Sequence, residues 1–99
     1  MRNPKYPGLE GDWALITGAT KGRGYETARS LAAKGHNLVL VCCDEERLCQ
    51  VARDLNELSD IIIMPLDIKK AGAFTILFKE CDRLGLKINA LFNFAPENG

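Results

Sequence analysis

Residues 17–24 read Thr-Gly-Ala-Thr-Lys-Gly-Arg-Gly, and this octet decides the fold. It follows a short apolar run at 13–17 (WALIT) and opens a stretch with helical spacing. A glycine-rich turn between a strand and a helix suits phosphate, because backbone N–H groups and the positive end of a helix converge there. Gly18 allows a sharp turn off the strand. Gly22 lets a pyrophosphate approach N–H groups with no side chain between, and Gly24 lets the helix pack closely on the sheet. The helix N-terminus adds unpaired donors and a partial positive charge. The spacing excludes two other phosphate turns. A G-x-G-x-x-G turn would need glycine at position 27, where Thr27 stands, and a P-loop would need a second glycine where Gly18 leads instead to Arg23. The plain alternative is a glycine-rich turn with no ligand.

Outward from the octet, strands and helices alternate. Residues 24–34 have Ala28, Leu31 and Ala32 on one helical face, with Gly35 as the stop. Residues 37–42 (NLVLVC) are a continuous apolar run, as in a strand buried on both faces. Residues 45–58 place Leu48, Val51, Ala52, Leu55 and Leu58 at helical spacing. A third strand is predicted over 61–64, a third helix over 71–84 with Phe74, Leu77, Phe78 and Cys81 on one side, and a fourth strand over 88–93. This βαβαβαβ order implies an α/β fold with a parallel sheet and helical crossovers. Right-handed crossovers put the first two helices on one face and the third on the other, with strand order 3-2-1-4. The order reverses between strands one and four, and open α/β sheets bind ligands at such a switch point, beyond the strand C-terminal ends.

Composition narrows the function classes. The 99 residues, 1–99, are expected to be one domain or part of one, and 46% hydrophobic content is enough for a core. Lys plus Arg and Asp plus Glu balance at 13 each, which gives no reason to expect nucleic acid or a membrane as partner. Lys69-Lys70 is the only adjacent basic pair. The longest apolar run, 38–43, is far short of a membrane span, and the polar opening with Pro4 and Pro7 lacks a signal-peptide core. A cytoplasmic protein is expected. Cys42, Cys43, Cys49 and Cys81 show no C-x-x-C spacing, so they read as small buried hydrophobes in a reducing compartment. His36, after Gly35, reads as structural or exposed.

The TGxxxGxG spacing of the octet is that of the short-chain dehydrogenase/reductase family. Residues 13–22 (WALITGATKG), 31–41 (LAAKGHNLVLV) and 44–48 (DEERL) resemble that family's first βαβ unit. The resemblance is strongest to the branch holding 3-ketoacyl-CoA and 17β-hydroxysteroid reductases. Residues 85–96 (GLKINALFNFAP) resemble its fourth strand and NNAG motif, so the resemblance runs from about 11 to 96. It implies the N-terminal, partial form of a Rossmann-type three-layer domain that binds NAD(P), in an oxidoreductase acting on alcohols or ketones. The cofactor-binding residues it implies are Thr17, Gly18, Thr20, Lys21, Gly22, Arg23, Gly24, Cys43, Asp44, Asp67, Ile68 and Asn93. Asp67 falls where the family has an adenine-contacting aspartate. It also reads as a helix N-cap before Ile68-Lys69, and both roles can hold at once. The chain departs from the family at Arg23, where Ile or Leu is usual near the nicotinamide. Asn93 is kept, but Phe94 and Pro96 stand for an Asn and a Gly. Proline has no N–H and a fixed φ, so the loop cannot copy the usual backbone.

Cofactor choice is made at the end of the second strand. In the family's register Cys42 replaces the acid of NAD users and Cys43 the arginine of many NADP users, so neither decides. Asp44, 20 residues after Gly24, suits a ribose contact, although a helix N-cap is the simpler reading. Lys21, beside Gly22, is the better clue, because family members with a basic residue there commonly set it on the 2′-phosphate. NADP is therefore expected, with NAD as the alternative.

The family's catalytic Y-x-x-x-K is absent here, since Tyr6 and Tyr25 are followed four residues on by Glu10 and Arg29. No Ser–His–Asp set, metal cluster or carboxylate pair replaces it, so these residues alone are expected to be inactive. The favoured reading is the cofactor-binding portion of a reductase. The alternatives are a non-catalytic nucleotide-binding or interaction module and a structural half-domain with no ligand. Residues 90–94 should form an exposed sheet edge, open to self-association, on a face covered only by the third helix. On this reading Leu91→Lys would burden a buried strand and unfold it.

Overall fold

The computed structural model describes residues 12–94. The elements are β1 (Asp12–Thr17), α1 (Gly22–Ala33), β2 (Asn37–Cys42), α2 (Glu45–Leu55), β3 (Ile61–Pro65), α3 (Ala73–Leu84) and β4 (Lys87–Asn93). All pairings are parallel and the order is β3-β2-β1-β4, as the crossover argument requires.

Alternation along β1 and β2 builds two cores, one on each face of the sheet. Ala14, Ile16, Leu38 and Leu40 pack with Ala28 and Ala32 of α1 and with Leu48, Val51 and Leu55 of α2. Trp13, Leu15, Val39 and Val41 pack with Leu77 and Cys81 of α3. The first two helices therefore share one face and the third covers the other. Burial on both faces explains why β2 reads as an unbroken apolar run.

Helix ends differ from the periodic reading where backbone chemistry intervenes. α1 begins at Gly22, two residues earlier than expected. It ends as Gly35 turns left-handed at φ 85° and donates its N–H to Ala32 O, while His36 beyond it is exposed. α2 stops at Leu55 rather than 58, which leaves Leu58 exposed in the following turn instead of in the core. α3 starts at Ala73 because Gly72 sits at φ 79°. That corrects one reading of Asp67, which caps no helix. Its Oδ1 accepts the Lys69 N–H at 3.0 Å within a separate turn, and its carbonyl accepts from Lys70 N–H.

The cysteines also correct an expectation. Cys81 is buried, and burial followed by the charge of Glu80 pushes its thiol pKa up. Cys43, however, is exposed, and Cys42 and Cys49 are only partly buried. The strand β2 ends at Cys42, and Cys43 already lies in the turn leading to α2.

β4 and β3 are the two sheet edges among the described residues. Trp13 pairs with Ile88 and Ala14 with Ala90, so Asn89 is an extra residue, a β-bulge. The bulge keeps Ile88 on the α3 face while Ala90, Phe92 and Phe94 turn to the α1/α2 face. Leu91 then returns to the α3 face, where it is 47% exposed near Phe78, itself 42% exposed. This overturns the expectation that a charge at Leu91 would unfold a buried strand. Half of that side chain already meets water. None of the helices among the described residues is long and apolar enough to cross a membrane.

Candidate functional site

The four strands point the same way, so the segments leaving their C-terminal ends meet. They enclose a cleft of about 510 Å3, within the usual size of a small-ligand pocket. Its walls are the β1–α1 turn, the end of β2 with the start of α2, the loop after β3, and Phe94 after β4.

The glycines behave as the sequence requires, with one addition. Gly18 has φ 62° and Gly22 φ 60°, both in the left-handed region. A Cβ on Gly18 would also come within 2.8 Å of the Phe94 carbonyl oxygen, so this glycine admits the end of β4 as well as turning the chain. Gly24 is buried, and a Cβ there would lie 1.9 Å from the Gly18 carbonyl oxygen. That contact seats α1 directly on the turn leaving β1. α1 has Lys21 at its N-cap with no side-chain cap, so its first N–H groups keep no side-chain acceptor. By contrast, Asp44 caps α2 by accepting the Arg47 N–H at 3.2 Å, as the N-cap reading of Asp44 expects.

Nine of the twelve expected residues line the cleft: Gly18, Thr20, Lys21, Arg23, Gly24, Cys43, Asp44, Asp67 and Ile68. Gly22 shapes the turn without lining it. Thr17 and Asn93 engage each other instead. The buried Thr17 hydroxyl donates to Asn93 Oδ1 at 2.6 Å and accepts the Phe94 N–H at 3.0 Å, which ties the end of β1 to the end of β4. Thr20 Oγ1 lies 3.5 Å from Cys42 Sγ and links the turn to the end of β2.

Six wall residues lie outside the expected twelve: Val41, Cys42, Arg47, Leu66, Lys69 and Phe94. Arg47 and Lys69 add positive charge, and Phe94 closes the side beside β4. Arg47 stands in the first turn of α2, which the Asp44 cap sets just after the end of β2. Four cations, Lys21, Arg23, Arg47 and Lys69, face two carboxylates, Asp44 and Asp67, so the walls favour an anion. No group of three or more His, Cys, Asp or Glu residues suited to a metal ion occurs among the described residues. Pro96 and the opening segment 1–11 lie outside the described residues.

Comparison with known proteins agrees with this architecture. The family model described as short chain dehydrogenase matches residues 12–97. A very-long-chain 3-oxoacyl-CoA reductase of Schizosaccharomyces pombe is 34% identical over 90 residues, covering 89% of this chain and 26% of that protein. The protein of the same name from Pyrenophora tritici-repentis is 52% identical over 48 residues, 48% of this chain and 14% of its own length. Among solved structures, a β-ketoacyl-[ACP] reductase from Bacteroides thetaiotaomicron superposes with a TM-score of 0.77 at 27% identity, covering 87% of this chain and 41% of its own. The L-sorbose reductase of Gluconobacter frateurii, solved with NADPH and L-sorbose, gives a TM-score of 0.80 at 26% identity, covering 93% of this chain and 36% of its own. This chain thus spans less than half the length of each of these proteins.

Proposed function

The chain belongs to the short-chain dehydrogenase family, whose fold binds a dinucleotide, and from that premise we propose that the cleft holds NADP(H) in a carbonyl reductase of the 3-oxoacyl-CoA type. The observation that carries this is the uncapped start of α1 beside Gly18 and Gly24, in a cleft with an excess of cations. A pyrophosphate fits that corner, because backbone N–H groups and helix dipole supply donors and positive charge with no Cβ in the way. Asp67 and Ile68, on the opposite wall, would bracket the adenine, and Cys43 and Asp44 the ribose. The cofactor supplies the hydride, and these residues bind and orient its adenosine half. The substrate class follows the relatives' reductase names. The free cysteines suit a reducing compartment, so a cytoplasmic setting belongs to the proposal.

Lys21 is exposed at the mouth of the cleft, and here it takes the 2′-phosphate of NADP. Lys21→Ala is expected to weaken NADPH about tenfold, or ~1.4 kcal/mol, while NADH changes about twofold or less. Calorimetric titration with both cofactors measures this. Equal losses would mean that Lys21 does not distinguish them.

The side of β4 that no described strand pairs with, and the exposed Leu91 and Phe78, would provide a surface for self-association of the 99-residue chain. Leu91→Lys is expected to lower the associated fraction in light scattering while changing stability by about 0.5 kcal/mol or less. An unfolded variant, or a wild type that stays monomeric at high micromolar concentration, contradicts this.

A further inference from the structure

The corner of the cleft below β2 holds a guanidinium that the glycine turn does not supply. Cys43, at the position where the family resemblance places an arginine in many NADP users, is a short, exposed thiol. Four residues on, Arg47 lines the same cleft from the first turn of α2, as Cys43 and Lys21 do from theirs. Its present partner is Asp44, whose Oδ2 lies 3.5 Å from Arg47 Nε, while Asp44 Oδ1 is engaged by the Arg47 backbone N–H. Both side chains are about half exposed, so the ion pair is weak and exchanges readily. A phosphate dianion is the stronger partner for a planar guanidinium, which can donate two parallel hydrogen bonds to it.

The geometry points to Arg47 as a second reader of the 2′-phosphate, delivered from α2 in place of the arginine missing at position 43, with Asp44 as its partner when that phosphate is absent. This assignment rests on the cleft being the dinucleotide site. With NADH, Arg47 stays on Asp44 and adds little. With NADPH it moves to the phosphate, and the Asp44 carboxylate opposes the same phosphate through its charge. The Asp44–Arg47 pair therefore sets the cofactor preference, and Lys21 approaches the phosphate from the other wall.

The test is calorimetric titration of the 99-residue chain with NADPH and NADH. Arg47→Ala keeps the backbone N–H that Asp44 caps, so α2 retains its start. It is expected to weaken NADPH about tenfold and NADH less than about twofold, with Arg47→Lys restoring part of the loss. Asp44→Asn preserves a good N-cap and is expected to tighten NADPH about threefold by removing the opposing charge. Arg53→Ala removes the same charge from the last turn of α2, outside the cleft, and is expected to move neither affinity by more than about twofold. Equal weakening of both cofactors by Arg47→Ala, or the same selectivity change from Arg53→Ala, would overturn the assignment while leaving the cleft reading intact. Wild type that binds neither cofactor at millimolar concentration would overturn both.

Discussion

Gly24→Ala is expected to cost about 3 kcal/mol of stability and to abolish dinucleotide binding in the same step. The added Cβ would lie 1.9 Å from the Gly18 carbonyl oxygen and 2.7 Å from its carbon, both backbone atoms that cannot rotate away. α1 must lift off the turn, and its N–H groups leave the pyrophosphate corner with it. Gly35→Ala is the control. Gly35 has φ 85°, but an added methyl group there would meet nothing within 4 Å. It incurs only left-handed backbone strain of about 1 kcal/mol and keeps binding. Urea titration followed by circular dichroism, with calorimetry on each variant, separates the two. Equal costs for both glycines would mean that Gly24 is a turn residue and not a close-packing one.

Trp13→Ala is expected to lose about 3–5 kcal/mol, a large part of the total stability of a domain this size. Trp13 is fully buried, and it fills the α3 face of the sheet with Leu15, Val39, Leu77 and Cys81. Among the described residues that face has one helix over it, so few neighbours can close over the cavity. Trp13→Phe should cost roughly half as much, since an aromatic ring still fills most of the space. Denaturant unfolding read at the backbone amide band measures both. A loss below about 1 kcal/mol for the alanine variant would place Trp13 outside the core.

The strand order and the facing of the helices were legible because they follow from a few rules acting on a clear alternation. The apolar run at β2 could be buried only by helices on both sides, and the handedness of the crossovers decided which helix went where. The glycine turn was legible because each glycine answers a separate steric demand. What escaped was set by contacts distant in sequence. Nothing in residues 87–93 announces the bulge at Asn89, which arises from register against β1 and turns Leu91 to the open face. The late start of α3 depends on the backbone angle adopted by Gly72, and spacing alone gives no sign of it. Arg47 belongs to none of the motifs read in the sequence. Its place in the cleft appears only when the Asp44 cap fixes where α2 begins relative to the end of β2.

In the proposed function the turn from β1 into α1 receives the pyrophosphate of a dinucleotide. Backbone amide chemical shifts of the 99-residue chain, followed while NADPH is added, test it most directly. A dinucleotide seated at this turn produces saturable shifts at the N–H groups of Gly18, Gly22, Arg23 and Gly24, with smaller ones at Cys43, Asp44, Asp67 and Ile68, and none along the outer side of β4. Amides of the turn that stay unmoved at saturating NADPH, or shifts confined to α3 and β4, would contradict it.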